Sequence, residues 1–152
     1  MADYNNNETQ QQAKNYSFDV QKLYIEMLLA DAESFARAQN IFNPKSFDRK
    51  LQPIAKFIKE YMDEYKVMPE VEIINASHDI KLKSAKDLDP SHFNWLLDEF
   101  ETFSRHKALE QAILSSADML ERGDYAPVED MVKEAVSVGL TKDLGTDYFE
   151  DP

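Results

Sequence analysis

The residues that could perform chemistry in this sequence are few, and their spacing favours surface roles. The three histidines, His78, His92 and His106, are scattered along the chain. Asp89 and His92 have the spacing of two metal ligands on one helical turn. A di-metal helical bundle needs a second such motif that includes Glu, and the sequence has none. We therefore predict a surface or capping role for His92 and no metal site.

The other polar patterns also favour contact with solvent. His106 and Glu110 are four residues apart, which is typical of an ion pair on a helix surface. The acidic run Asp98, Glu99 and Glu101 is interpreted as a solvated face, with a contact for a basic partner as the alternative. The sequence has no phosphate loop, GxGxxG or GxSxG motif, and no cysteine. We predict no catalytic, cofactor-binding or metal residue, and the chain is not expected to be an enzyme.

The composition favours a helical protein of one modest domain. The chain has 152 residues, of which 43% are hydrophobic, 30% are charged and only 3 are glycine. The net charge of −12 disfavours direct binding of nucleic acid by bulk charge. No apolar run has the ~20 residues of a membrane span, and the N-terminus has no signal-peptide core. We expect a soluble, cytoplasmic protein.

One long helix, predicted from Pro90 to Arg122, must position most of these residues. Asp89 suits its N-cap, and Gly123 is placed to end it. The apolar residues of its first half form one stripe: Phe93, Leu96, Leu97, Phe100 and Phe103. Those of its second half form another, about 180° away: Leu109, Ala112, Ile113, Ser116 and Leu120. Because nothing at 104–107 would break the helix, we predict that it packs against two different bodies.

The remaining elements supply those two bodies. Four helices are predicted before the long one: Phe18 to Ala30, Ala32 to Gln39, a start between Asp48 and Pro53 to Tyr65, and Met68 to Ala76. Residues 77–88 are predicted to be a loop. A last helix from Pro127 to Val138 has one apolar face, which we expect to cover the second stripe as a helical hairpin.

The predicted fold is therefore all-α, a small helical head with a protruding helical hairpin built on the long helix. Its parts are a disordered Asn- and Gln-rich tail (1–17), the head (18–88), the long helix and hairpin (89–139) and a linker (140–152). The candidate interface residues lie on the hairpin, where some of them must fill its own seam. They are Leu109, Ile113, Leu120, Val128, Met131 and Val132. Trp95 lies off the main stripe and is a further candidate.

Several strings carry a resemblance to a known family. They are VQKLYIEMLLA at 20–30, NPKSFD at 43–48, EYKVMP at 64–69, RHKA at 105–108 and DLGTDY at 143–148. Together with the order of the helices, they resemble the N-terminal domain of DnaB-type replicative helicases, in particular the helicases of T-even-type bacteriophages. The resemblance covers roughly residues 18–150.

This resemblance implies a non-catalytic domain that oligomerises and docks partners. In the family, hairpins of neighbouring subunits pair, organise the collar of a hexameric ring and offer surfaces to primase and to helicase loaders. A RecA-like motor that uses ATP and Mg²⁺ would follow Pro152, so the chain is expected to be an excised domain or a product that lost its motor. We expect a hairpin-mediated dimer in the host cytoplasm. The alternative is a free-standing all-α adaptor or inhibitor that binds a replication protein.

Overall fold

Six α-helices form the fold in the computed structural model, which describes residues 16–139. They are α1 (Phe18–Ala30), α2 (Ala32–Ala38), α3 (Gln52–Tyr65), α4 (Val71–Ser77), α5 (Ser91–Glu121) and α6 (Tyr125–Val136). Two short 3-10 helices, Gln39–Ile41 and Pro44–Ser46, lie between α2 and α3. No strand occurs in the part of the chain that the structure describes. The all-α prediction is confirmed.

The helix starts and ends follow local chemistry. The Ser17 hydroxyl accepts from the Val20 backbone N–H at 3.3 Å, which caps α1 where the sequence predicted. The fourth helix starts at Val71 and not at Met68, because a residue before proline is disfavoured in helical conformation. The last helix spans Tyr125–Val136 and not Pro127 to Val138. Pro127 is accepted in its first turn, where a backbone N–H has no partner within the helix.

The first half of α5 closes the core of the head. Leu96, Leu97, Phe100 and Phe103 are buried, and Phe93 packs half-buried against the same core. Buried residues of α1, α2 and α3 supply the rest, with Tyr24 among the most enclosed. The helix continues through 104–107 without a break. This half of the two-body prediction is confirmed.

Buried polar side chains tie non-helical segments to α1. The Gln21 side chain donates to the Tyr16 carbonyl at 2.8 Å and accepts from the Asp48 N–H at 2.6 Å. The Glu26 carboxylate pairs with Lys22 at 2.8 Å and accepts from the Lys83 N–H at 2.6 Å. The predicted loop 77–88 is thus held at one point to α1.

The predicted tail and linker fall almost entirely outside the described residues. Tyr16 and Ser17, the last two residues of the predicted tail, are exceptions. The Tyr16 ring lies 5.2 Å from that of Phe103 and 5.6 Å from that of His106. The linker, residues 140–152, is outside the described range, so its prediction and that for residues 1–15 stay predictions.

Candidate interaction surface

The end of α5 reverses the chain and sets α6 beside it. Gly123 has a φ of +79°, a conformation that glycine adopts without strain. Its N–H donates to the Leu120 carbonyl at 3.1 Å, and the Asp124 N–H donates to the Met119 carbonyl at 2.9 Å. These two bonds form a Schellman motif, which satisfies the last carbonyls of α5. Gly123 is therefore the helix stop that the sequence predicted.

The far end of α6 is fixed to the middle of α5. The Arg105 guanidinium donates to the Val138 carbonyl through Nε at 3.1 Å and through Nη2 at 2.8 Å. The Asn40 side chain donates to the Gly139 carbonyl at 3.2 Å. A side chain at Gly139 would meet the Glu101 carboxylate, since an added Cβ would lie 3.1 Å from Oε2. Helix α6 therefore returns antiparallel to α5. The prediction that the pair protrudes from the head stays a prediction.

Small residues line the seam between the two helices. Ala112 and Ser116 of α5 and Ala135 of α6 are buried there. Ile113 and Leu120 of the predicted second stripe lie outside this seam, because their side chains are 66% and 51% exposed. The anchor at Arg105 explains the difference. Positions 105, 108, 112 and 116 follow one ridge of α5, and the alanines on that ridge allow close approach of α6.

The side chains displaced from the seam form an exposed apolar face. We define this apolar face by Ile113, Leu120, Tyr125, Val132 and Val136, all of which are exposed. On each helix the exposed stripe lies one residue, ~100°, beyond a buried alanine: Ala112 precedes Ile113, and Ala135 precedes Val136. Since the helices are antiparallel, the same sense of rotation brings both stripes to the same side of the pair.

The six candidate interface residues divide between the face and the seam. Ile113, Leu120 and Val132 lie on the apolar face, and Leu109 and Val128 are half-buried between face and seam. Met131 instead lines the seam, beside a shallow groove of about 290 Å³ on the opposite side of the pair. That groove also contains Gln111, Ser115 and Glu134 in its lining.

Two residues of the apolar face, Tyr125 and Val136, are not among the six predicted interface residues. Tyr125 is 66% exposed and Val136 is 57% exposed. Their spacing was the available signal, because Val132 follows Tyr125 by seven residues and Val136 follows Val132 by four. This is a helical stripe. The predicted helix began at Pro127, which left Tyr125 outside the pattern.

Asp89, His92 and His106 are exposed, and Asp89 also accepts a hydrogen bond from the first residue of α5. One Asp89 carboxylate oxygen accepts from the Ser91 N–H at 2.9 Å, and this bond holds the Asp89 pKa below its ordinary value. His92 is exposed, and His106 lies 3.8 Å from Glu110. Among residues 16–139, no three His, Asp or Glu side chains are placed to hold a metal ion.

The acidic run is partly attached to the core and partly exposed. The buried Tyr24 hydroxyl donates to Glu99 at 3.3 Å. Burial first, and then the charge of Glu99, raises the Tyr24 pKa well above its ordinary range. Asp98 is exposed. Trp95 is 46% exposed, and its ring lies 6.3 Å from that of Tyr24. It is half in contact with the head and half available to solvent.

Comparison of the chain with protein-family models, with curated proteins and with solved structures found no match. Within residues 16–139, none of the helices combines the length and the apolarity that crossing a bilayer requires. The central feature of the candidate site is the apolar face on the α5–α6 pair.

Proposed function

We propose that this chain is a non-catalytic oligomerisation and partner-docking domain, and that its apolar face binds the same face of a second copy. The observation that carries the proposal is the placement of five exposed apolar side chains on one side of the α5–α6 pair. Exposed apolar patches of this kind mark interaction sites on soluble proteins. A face that binds itself needs no second, complementary surface and closes as a two-fold dimer.

The charge of the face supports self-association. None of the five residues that define it is charged, whereas 30% of all residues in the chain are. Two copies that each carry −12 repel each other, so an uncharged patch is the surface on which they approach at least electrostatic cost. Charged groups stand beside the face, including the exposed pair of Lys133 and Glu129 at 3.3 Å.

The biological setting of the proposal comes from the family resemblance. The domain would be the N-terminal part of a phage-type hexameric replicative DNA helicase in the host cytoplasm. Its hairpin would organise the ring and offer surfaces to primase and a helicase loader. ATP hydrolysis with Mg²⁺ would belong to a separate motor, because this sequence has no phosphate loop.

The chain offers a matched pair of variants to test self-association. Ile113 and Leu114 are adjacent and almost equally exposed, at 66% and 64%. Only Ile113 lies on the apolar face, since Leu114 points ~100° further round α5. Ile113→Asp should abolish the dimer, and Leu114→Asp should leave it intact. Sedimentation of the full chain over a range of concentrations measures both, and circular dichroism checks that the helical content is unchanged.

The size of the effect follows from the buried area. Burying an isoleucine side chain is worth about 1.5–3 kcal/mol, and Ile113 is 66% exposed, so each copy gains roughly 1–2 kcal/mol. In a two-fold dimer the Ile113 side chain is buried in both copies, so this free energy is gained twice. Its loss should raise the dissociation constant at least about 30-fold. A strictly monomeric parent chain, or equal weakening by the two variants, would overturn the proposal. The monomer would favour the adaptor function instead.

A further inference from the structure

A second surface is basic, whereas the surface on the hairpin is apolar. It is formed by residues between 43 and 59, which precede the hairpin in the sequence. It is a concavity of about 740 Å³ between the 3-10 helix Pro44–Ser46 and α3. Four of its lining residues are basic: Lys45, Arg49, Lys56 and Lys59. The other four, Asn43, Pro44, Gln52 and Pro53, are uncharged. We call it the basic concavity, because its lining contains no carboxylate although the chain carries −12 overall.

The backbone around the basic concavity is fixed, and its cations are available. The Asn43 side chain accepts from the Lys45 N–H at 3.0 Å, and the Gln52 side chain donates to the Phe47 carbonyl at 3.0 Å. The neighbouring Asp48 directs its carboxylate to the Lys50 N–H at 3.0 Å. None of the four lining cations forms an ion pair within residues 16–139. Among the described residues, the lining of the basic concavity is therefore a positive recess whose four cations have no ion-pair partner.

The lining favours a polypeptide over a nucleic acid. Single-stranded nucleic acid binds where cations alternate with aromatic rings that stack on bases, and none of the lining residues is aromatic. Carboxylates spaced along an extended segment meet four separated cations without needing a stacking platform. The chemistry points to an acidic stretch of protein.

The chain itself contains such a stretch close by. Residues 140–152 carry four carboxylate side chains and one lysine. They follow Gly139, whose carbonyl accepts a hydrogen bond from the Asn40 side chain at 3.2 Å. Asn40 is three residues before Asn43, which lines the basic concavity. An extended chain covers ~3.3 Å per residue, so the four residues up to Asp143 reach ~13 Å. We propose that the basic concavity is a binding site for an acidic polypeptide segment, and that residues 140–152 of the same chain are its occupant.

The absence of cysteine allows a direct test in the full-length chain. Thr146→Cys creates a unique attachment point for a nitroxide spin label in the acidic segment. We expect the label to broaden the amide signals of Arg49 and Lys56 and to leave those of Lys133 sharp. At 1 M salt, where the Debye length falls to ~3 Å, the broadening should disappear.

Charge variants make the test specific. Lys56→Gln with Lys59→Gln should abolish the broadening at Arg49. The control variant, Lys50→Gln with Lys83→Gln, removes the same charge from two exposed residues outside the lining. This variant should preserve the broadening at Arg49.

Three results would overturn the proposal. The first is sharp signals at Arg49 and Lys56 in the labelled parent. The second is broadening seen only when a labelled chain is mixed with an isotope-enriched unlabelled one, which would assign the occupant to another copy. The third is displacement of the label by a single-stranded oligonucleotide at lower concentration than by a poly-glutamate peptide, which would assign the basic concavity to phosphate.

Discussion

Replacing Phe100 by alanine should remove the centre of the head. The Phe100 side chain is fully buried, and the rings of Tyr24, Phe42, Phe47 and Phe103 lie 5.9–6.2 Å from its own. Truncation of a buried phenylalanine costs about 3–5 kcal/mol, because transfer energy and ring contacts are lost and a cavity is left. Small domains are stable by only about 5–15 kcal/mol, so this change removes a large part of the free energy of unfolding.

Urea unfolding measures the decrease in the free energy of unfolding, and two further variants show how it depends on burial. Phe100→Leu keeps an apolar side chain in the same space and should cost less than Phe100→Ala. Trp95→Ala, also on α5 but at a side chain that is 46% exposed, should cost less again. In thermal unfolding, Phe100→Ala should lower the midpoint by roughly 10–20 °C. All variants should be measured at one low protein concentration, so that self-association does not contribute to the measured stability.

The result that would refute the reasoning is an unchanged midpoint for Phe100→Ala with an unchanged urea slope. It would mean that the first stripe of α5 does not face the head in solution. An equal loss of stability in Phe100→Ala and Trp95→Ala would also contradict the prediction, because the two side chains differ in burial.

Three smaller changes test other contacts. The buried Ser104 hydroxyl has no hydrogen-bond partner among the described residues, so Ser104→Ala should raise the free energy of unfolding by roughly 1 kcal/mol; a clear loss in urea unfolding would contradict this. Arg105→Gln should loosen the end of α6 and speed amide exchange after Val138 more than Arg105→Lys does, since lysine keeps a charged donor. The Asp89 pKa is lowered, so the stability that Asp89 contributes is present above its unfolded-state pKa and is lost as the pH falls through its folded-state pKa. Asp89→Asn keeps a capping oxygen and should lose this pH dependence. Carbon-13 titration of Asp89 and acid unfolding of both proteins check the prediction.

Local signals predicted the helices well, because the physics that sets them is local. Ser17 supplies an N-cap, Gly123 supplies the left-handed stop, and an uninterrupted 31-residue helix needs no long-range contact to be recognised. The first stripe of α5 was equally predictable, since large apolar side chains at helical spacing have to be buried somewhere. Phe100 and Phe103 could only face the head.

The seam of the hairpin could not be predicted in the same way. Apolar periodicity placed Ala112, Ile113 and Leu120 on one stripe, and it does not indicate which of these side chains face α6. One contact that holds α6 beside α5 is the bond from Arg105 to the Val138 carbonyl, 33 residues away in sequence. A pattern of hydrophobicity contains no record of such a bond. The same applies to the hydrogen bond from the Lys83 N–H to Glu26, a buried carboxylate of α1.

The two proposed surfaces should respond to salt in opposite directions, which separates them in one protein. The apolar face carries no charge of its own, so its self-association is opposed mainly by repulsion between two chains of −12. Raising the salt concentration from 0.1 to 1 M shortens the Debye length from ~10 Å to ~3 Å, which screens that repulsion and strengthens apolar contact. The basic concavity depends on attraction between opposite charges, so the same change should release its occupant. A dimer that dissociates in high salt would therefore mean that the two copies meet through charge, and that the apolar face is not the surface that joins them.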